Sequence, residues 1–205
     1  MVVIDATMLM LLFRPNVPAR ATDSKGKPID HVPERVAHLV KTLEASKSTI
    51  IIPTPVLSEL LVRTTPEETQ RILDEINRVA IFRIEPFETR AAIEVAVMTR
   101  SALTAGDKKG GSDEPWAKVK FDRQIVAITK VAQASIIYTD DTNLSATANA
   151  LGISTLGLAD LSLPPETAQG QLPFESKATD AIDEIAEQAK ILQEPEASDE
   201  PPTTP

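Results

Sequence analysis

Residues 121–144, FDRQIVAITKVAQASIIYTDDTNL, decide how this chain is read. Ile125, Ile128 and Ala132 recur at helical spacing, so a helix with Asp122 in its first turn sends one face to a core. Ala134–Tyr138 (ASIIY) is short, apolar and β-branched, which suits a strand of a buried parallel sheet. The chain then delivers Thr139, Asp140 and Asp141 to the loop at the carboxyl end of that strand, the edge at which open α/β sheets bind ligands. A carboxylate at a helix start and one or two more at a strand end are the raw material of a divalent-metal site, provided other segments send acids to the same place.

Outward from this stretch the chain repeats the pattern. Val2–Asp5 is a β-branched run ending in a carboxylate, and Ala6–Phe13 looks helical, so Asp5 stands at a strand-to-helix junction, either as a helix N-cap or as a ligand. The loop 14–33 carries Arg14, Arg20, Lys25 and Lys27. Pro33–Ser46 is amphipathic through Val36, Leu39, Val40 and Leu43, and its His38, with His31, makes up the whole histidine complement. These two do not have metal-ligand spacing on a helix, which sets a histidine mechanism aside. Thr49–Ile52 is a second strand. Pro53 and Pro55 close it and pre-set a helix, VLSELLVR, in which Glu59 lies among apolar neighbours with Arg63 four residues on. A carboxylate buried there needs a partner, which Arg63 or a metal ion would supply.

Further along, the pattern predicts a helix at Pro66–Arg78, a strand at Val79–Ile84 and a long helix at Phe87–Leu103. The segment 104–120, TAGDKKGGSDEPWAKVK, reads as an exposed loop leading to Asp122. Lys108, Lys109, Lys118, Lys120 and Arg123 make it the most basic local patch, suited to gripping a polyanion beside a site. Ser145–Leu151 is a short helix with Gly152 after it, and Ile153–Leu156 a last strand. The alternation predicts an α/β fold, a mainly parallel sheet wrapped by helices, over residues 1–163. Residues 164–205 form an acidic, Pro-rich tail in which Lys177–Leu192 has the spacing of one amphipathic helix.

Bulk properties bound the function. The net charge of −9 looks wrong for a protein that handles nucleic acid, but the tail holds ten acids and two lysines. That leaves 20 acids (30 less 10) and 19 bases (21 less 2) in residues 1–163, a near-neutral domain that does not repel a polyanion. The absence of cysteine excludes disulfides and thiolate zinc sites, in keeping with a cytoplasmic location. The apolar start, MVVIDATMLMLLF, carries Asp5 and lacks a basic leading region, so it reads as a strand and helix rather than a signal peptide or a membrane span.

Four acids therefore fall at sheet-edge junctions: Asp5, Glu59, Asp122 and Asp141 (or Asp140). Gathered without a cation they would repel and raise one another's pKa. Mg²⁺ or Mn²⁺ accepts hard oxygen ligands of this kind, activates a bound water and neutralises a phosphodiester. On VVIDATMLMLLF, IIPTPVLSELLVR, FDRQIVAITKVAQASIIYTDD and the closing strand, the sequence resembles the PIN-domain ribonucleases, including the toxin halves of VapBC-type toxin–antitoxin pairs. The resemblance implies a three-layer α/β/α sandwich around a central mainly parallel sheet, with a metal-dependent, RNA-cleaving site in which Asp5, Glu59 and Asp122 are the first three acids. Thr139-Asp140-Asp141 matches the family's Thr-x-Asp motif, with Asp141 as ligand, Thr139 as supporting hydroxyl, Asp140 as neighbour and Asn143 where a further acid often stands. It also implies an antitoxin partner and a homodimer. The long loops and the acidic tail depart from the family's smallest members. The competing expectation is a weakly catalytic or non-catalytic regulatory module that binds nucleic acid or protein, its tail engaging a partner. A phosphatase reading of Asp5-Ala6-Thr7 lacks the second aspartate and lysine which that chemistry needs.

Overall fold

The computed structural model describes residues 1–14, 21–23 and 25–165, of which Met1–Pro164 form one compact unit. Arg20, the acidic tail from residue 166 onward and the helix expected at 177–192 lie outside the described residues.

Among the described residues five short strands make one parallel sheet. They are β1 (Val2–Ile4), β2 (Ile50–Pro53), β3 (Phe82–Glu85), β4 (Ile136–Tyr138) and β5 (Ser154–Leu156), in the order β3-β2-β1-β4-β5. Seven described helices connect them: α1 (Ala6–Phe13), α2 (Val32–Ala45), α3 (Thr54–Leu61), α4 (Pro66–Arg78), α5 (Thr89–Thr104), α6 (Trp116–Val131) and α7 (Thr142–Asn149). Every residue of β1 and β2 is buried, as it must be in a sheet covered on both faces. The strands are therefore runs of Val and Ile rather than polar–apolar alternations. Val3, Leu9, Ile50, Ile51, Ile52, Leu60, Ile72 and Ile137 form the heart of the core, all but inaccessible to water. Burying each such side chain fully contributes about 1.5–3 kcal/mol. The parallel sheet expected from the alternation of elements, and the α/β/α sandwich the resemblance implied, are the ones found.

Three element starts differ most from expectation. β3 lies at Phe82–Glu85 rather than 79–84, because α4 runs to Arg78 and Val79 already caps it with its amide on the Glu75 carbonyl. α7 starts at Thr142 rather than 145, since Asp141 caps it through the amides of Asn143 and Leu144. α6 starts at Trp116, within the segment expected to be loop, and this difference reshapes the site.

The chain starts in the middle of the sheet, winds outward through β2 and β3, and returns across it to β4. Strand order therefore reverses between β1 and β4, which pair directly with Ile4 opposite Tyr138. At such a switch point the loops leaving the two neighbouring strands turn opposite ways and open a crevice at their carboxyl ends.

Candidate active site

Asp5 leaves β1 into that crevice and Asp141 follows β4 into it. The Asp5 amide donates to the Tyr138 carbonyl at 3.1 Å, continuing the strand pairing. Its carboxylate is divided in use. Oδ1 accepts the Met8 amide at 2.8 Å and caps α1, while Oδ2 accepts the Thr139 hydroxyl at 2.5 Å. Asp5 is thus a helix N-cap that also lines the cavity. Thr139, itself buried, also accepts the Asp141 amide at 3.0 Å, so a single hydroxyl ties the first acid to the last. Asp5 is only 6% exposed. Burial raises its pKa to about 6, against the bonds from Met8 and Thr139 and with help from the charges of Asp140 and Asp141.

The two consecutive aspartates diverge. Asp141 lines the cavity; its Oδ1 accepts the Asn143 and Leu144 amides at 2.9 and 3.0 Å, and Oδ2 takes the Lys118 ammonium at 2.5 Å. Burial pushes Asp141 up, but Lys118 and those amides outweigh it and hold the group below the usual carboxylate range. Asp140 instead accepts the Leu158 amide at 2.9 Å and clamps the closing 3₁₀ turn, Leu158–Asp160. A side chain at Gly157 would collide with the Asp140 carboxylate, so glycine stands there for space, its φ of −94° being open to any residue. Gly157→Ala is expected to cost about 1 kcal/mol in urea unfolding through loss of the Asp140–Leu158 bond. A variant as stable as the parent would show that the clamp contributes nothing.

α6 delivers the third acid. Pro115 stands at its N-cap, and Val119, Asp122, Ile125 and Val126 lie on its buried side. Because the helix starts five residues earlier than the composition of 104–120 suggests, Asp122 sits in the second turn, with Lys118 one turn before it on the same face. Asp122 is 4% exposed, and its Oδ1 meets the Lys118 ammonium at 3.1 Å. Burial raises the pKa of Asp122; Lys118 opposes this, and the charges of Asp141 and Glu114 add to it. Lys118 loses solvation too, but the two aspartates more than compensate and its pKa rises. The lysine expected to grip a polyanion is therefore the bridge between two carboxylates.

Glu59 is exposed rather than buried: α3 turns Val56, Leu57 and Leu60 inward and leaves Glu59 with Ser58, Val62 and Arg63 along the cavity. No ion pair joins Glu59 to Arg63 among the described residues. Asp5, Glu59, Asp122 and Asp141 thus line one open cavity of about 580 Å³, together with Lys118 and Arg63. They do not converge on one point. Among the described residues no three acids or histidines stand close enough to share an ion. Asp122 and Asp141 meet on the Lys118 ammonium, while Asp5 is held by Met8 and Thr139 and Glu59 stays exposed on α3. The donor set remains right for a hard cation: all oxygen, with two carboxylates already arranged around one positive charge, where Mg²⁺ takes one or two plus water.

The other expected basic residues have structural duties. Arg123, 5% exposed, donates to the Thr99 hydroxyl at 3.0 Å and the Lys108 carbonyl at 2.9 Å, and its guanidinium stacks 5.4 Å from the Trp116 ring centre. Lys108 covers the same ring at 4.1 Å. Lys109 donates to the carbonyls of Asp113 and Glu114. Lys120 alone of the five makes none of these contacts and is exposed. Lys108 and Arg123 thus hold the 105–115 loop to α6, a structural duty beside the grip on a polyanion expected of this patch. Asp107 gathers the amides of Lys109 and Gly111 within that loop. Asn143 accepts the Ser112 hydroxyl at 3.1 Å and donates to Glu114 at 3.4 Å, so it anchors the loop beside the site. Glu114, which the sequence did not single out, adds a negative charge near Asp122 only because this loop folds back.

A family model described as PIN domain matches residues 33–159, a span that contains Glu59, Asp122 and Asp141 and begins after Asp5. Comparison with curated proteins gives no match. Among solved structures, the crystal structure of VapBC2 from Rickettsia felis bound to a DNA fragment from their promoter is similar at 14% identity and a TM-score of 0.49, covering 76% of this chain and 97% of that one.

Proposed function

The chain belongs to the PIN-domain family, and from that premise we propose that it is a divalent-metal-dependent endoribonuclease acting through the cavity at the β1–β4 switch point. The observation that carries this reading is the lining of that cavity by Asp5, Glu59, Asp122 and Asp141, brought from four separate segments. Asp122 and Asp141 would hold Mg²⁺ or Mn²⁺, with Asp5 behind them and Glu59 on the open side. A bound divalent ion supplies an acidified water and charge neutralisation for the scissile phosphodiester. The chain does the rest. Thr139 fixes the Asp5 carboxylate, the α7 amides fix Asp141, and the buried side of α6 fixes Asp122, so the acids are oriented before substrate arrives. Arg63, lining the same cavity, supplies positive charge to the entering strand.

The test is cleavage of a fluorogenic single-stranded RNA by the purified chain. EDTA is expected to abolish it and Mg²⁺ or Mn²⁺ to restore it. Cleavage that persists in EDTA, or no cleavage with either ion, would overturn the reading; the second outcome favours the regulatory module instead. The toxin half of a toxin–antitoxin pair is the biological setting we propose, with an antitoxin as protein partner, a homodimer as assembly and the cytoplasm as location. No described helix is long and apolar enough to cross a membrane.

A further inference from the structure

Lys118 stands where the proposed chemistry needs a different cation. Its ammonium lies 2.5 Å from Asp141 Oδ2 and 3.1 Å from Asp122 Oδ1, so one positive charge occupies the gap between the two best-placed carboxylates. Hard divalent ions sit about 2.0–2.6 Å from carboxylate oxygens, so an ion shared by these two would fill the same space. Two cations side by side there would repel strongly in a partly dehydrated site. Either the lysine or the metal can hold the pair, not both.

We infer that Lys118 is an internal counter-cation that keeps the place of the divalent ion and is exchanged for it. The inference rests on the metal-dependent reading above. The geometry provides for both states. Lys118 and Asp122 are four residues apart on one helix face, so the pairing forms without any change of backbone. The lysine side chain is 38% exposed at the cavity wall and carries its charge on a flexible stem, so it has a way out. Without metal, Lys118 spares Asp122 and Asp141 from facing each other as bare charges. With metal, it must be displaced, and the binding affinity is lower by what the two ion pairs contributed. Lys118 is thus a positioning residue that sets the metal concentration at which the site loads.

The experiment is calorimetric titration of Mn²⁺ alone into the purified full chain, parent and Lys118→Met. The variant is expected to bind Mn²⁺ at least tenfold more tightly and to melt lower than the parent in EDTA, while Lys118→Arg returns the affinity toward the parental value. Equal or weaker binding by Lys118→Met, with the parent binding normally, overturns the inference and leaves the nuclease reading in place. No binding by either protein overturns both. Should the Met variant not fold, lysine side-chain NMR of the parent decides. A solvent-protected Lys118 ammonium signal is expected in metal-free protein and should vanish as Mg²⁺ saturates; a signal that survives saturation overturns the exchange.

Discussion

Asp122→Asn is expected to lower metal-dependent RNA cleavage on the order of 10³-fold, since losing a charged ligand removes several kcal/mol of transition-state stabilisation. The fold should hardly notice. Asp122 is 4% exposed and burial already disfavours its charge, so a neutral isostere gives up little solvation. Its one strong partner, Lys118, keeps Asp141 at 2.5 Å. The measurement is the fluorogenic assay with Mg²⁺ beside a melting curve in EDTA. Parental activity in the variant would remove Asp122 from the site, and a collapse in melting temperature would make it a structural residue instead.

The second large effect concerns Asp5 and reads out as a pH dependence. Its pKa is about 6 in the folded chain against 3.8 without the fold. Between those values the folded protein holds a proton that the unfolded chain has released, so stability falls as pH rises from about 4 to about 6. Above that window the whole cost is present, on the order of 3 kcal/mol. Asp5→Asn removes the group. In metal-free protein the variant is expected to match the parent near pH 4 and to be more stable by a few kcal/mol at pH 7.5, while losing cleavage. Urea unfolding of both proteins across this range checks it. A constant difference between them would show that the Asp5 charge is not strained by its surroundings. Metal binding reports on the same group, because only the ionised carboxylate can assist an ion. Mn²⁺ affinity should therefore weaken below pH 6, and binding at pH 6 should release protons, which calorimetry in buffers of different ionisation heat detects.

Much of this was legible in the amino-acid order. Val2–Ile4, Ile50–Ile52 and Ile136–Tyr138 are short apolar runs that suit a doubly covered sheet, and the acids that follow the first and the last of them fall on one edge by topology. What stayed hidden depended on partners distant in sequence or on a helix that composition disguised. Residues 116–120 follow a run of Gly, Asp and Pro and carry two lysines, which reads as loop; Pro115 nonetheless starts a helix there and turns Lys118 toward Asp122. Arg123 looked like a surface base because its acceptors, Thr99 and the Lys108 carbonyl, lie 24 and 15 residues away. Glu59 looked buried because its neighbours are apolar, but α3 has a solvent side and Glu59 is on it. Only the motif favoured Asp141 over Asp140; the physical difference, the Leu158 amide on Asp140, lies in a segment remote in sequence.

The Thr139 hydroxyl that joins Asp5 to Asp141 reaches an acid 134 positions away in sequence, and β4 takes its place beside β1 only after β2, β3 and six helices have been threaded. A nascent chain emerging from the ribosome therefore carries Asp5 and Glu59 long before it has Asp122, Thr139 or Asp141 to set against them. Long-range parallel pairing of this kind is slow and comes late. On the proposed nuclease reading, the acids at the switch point are incomplete until β4 and the residues that follow it have been made.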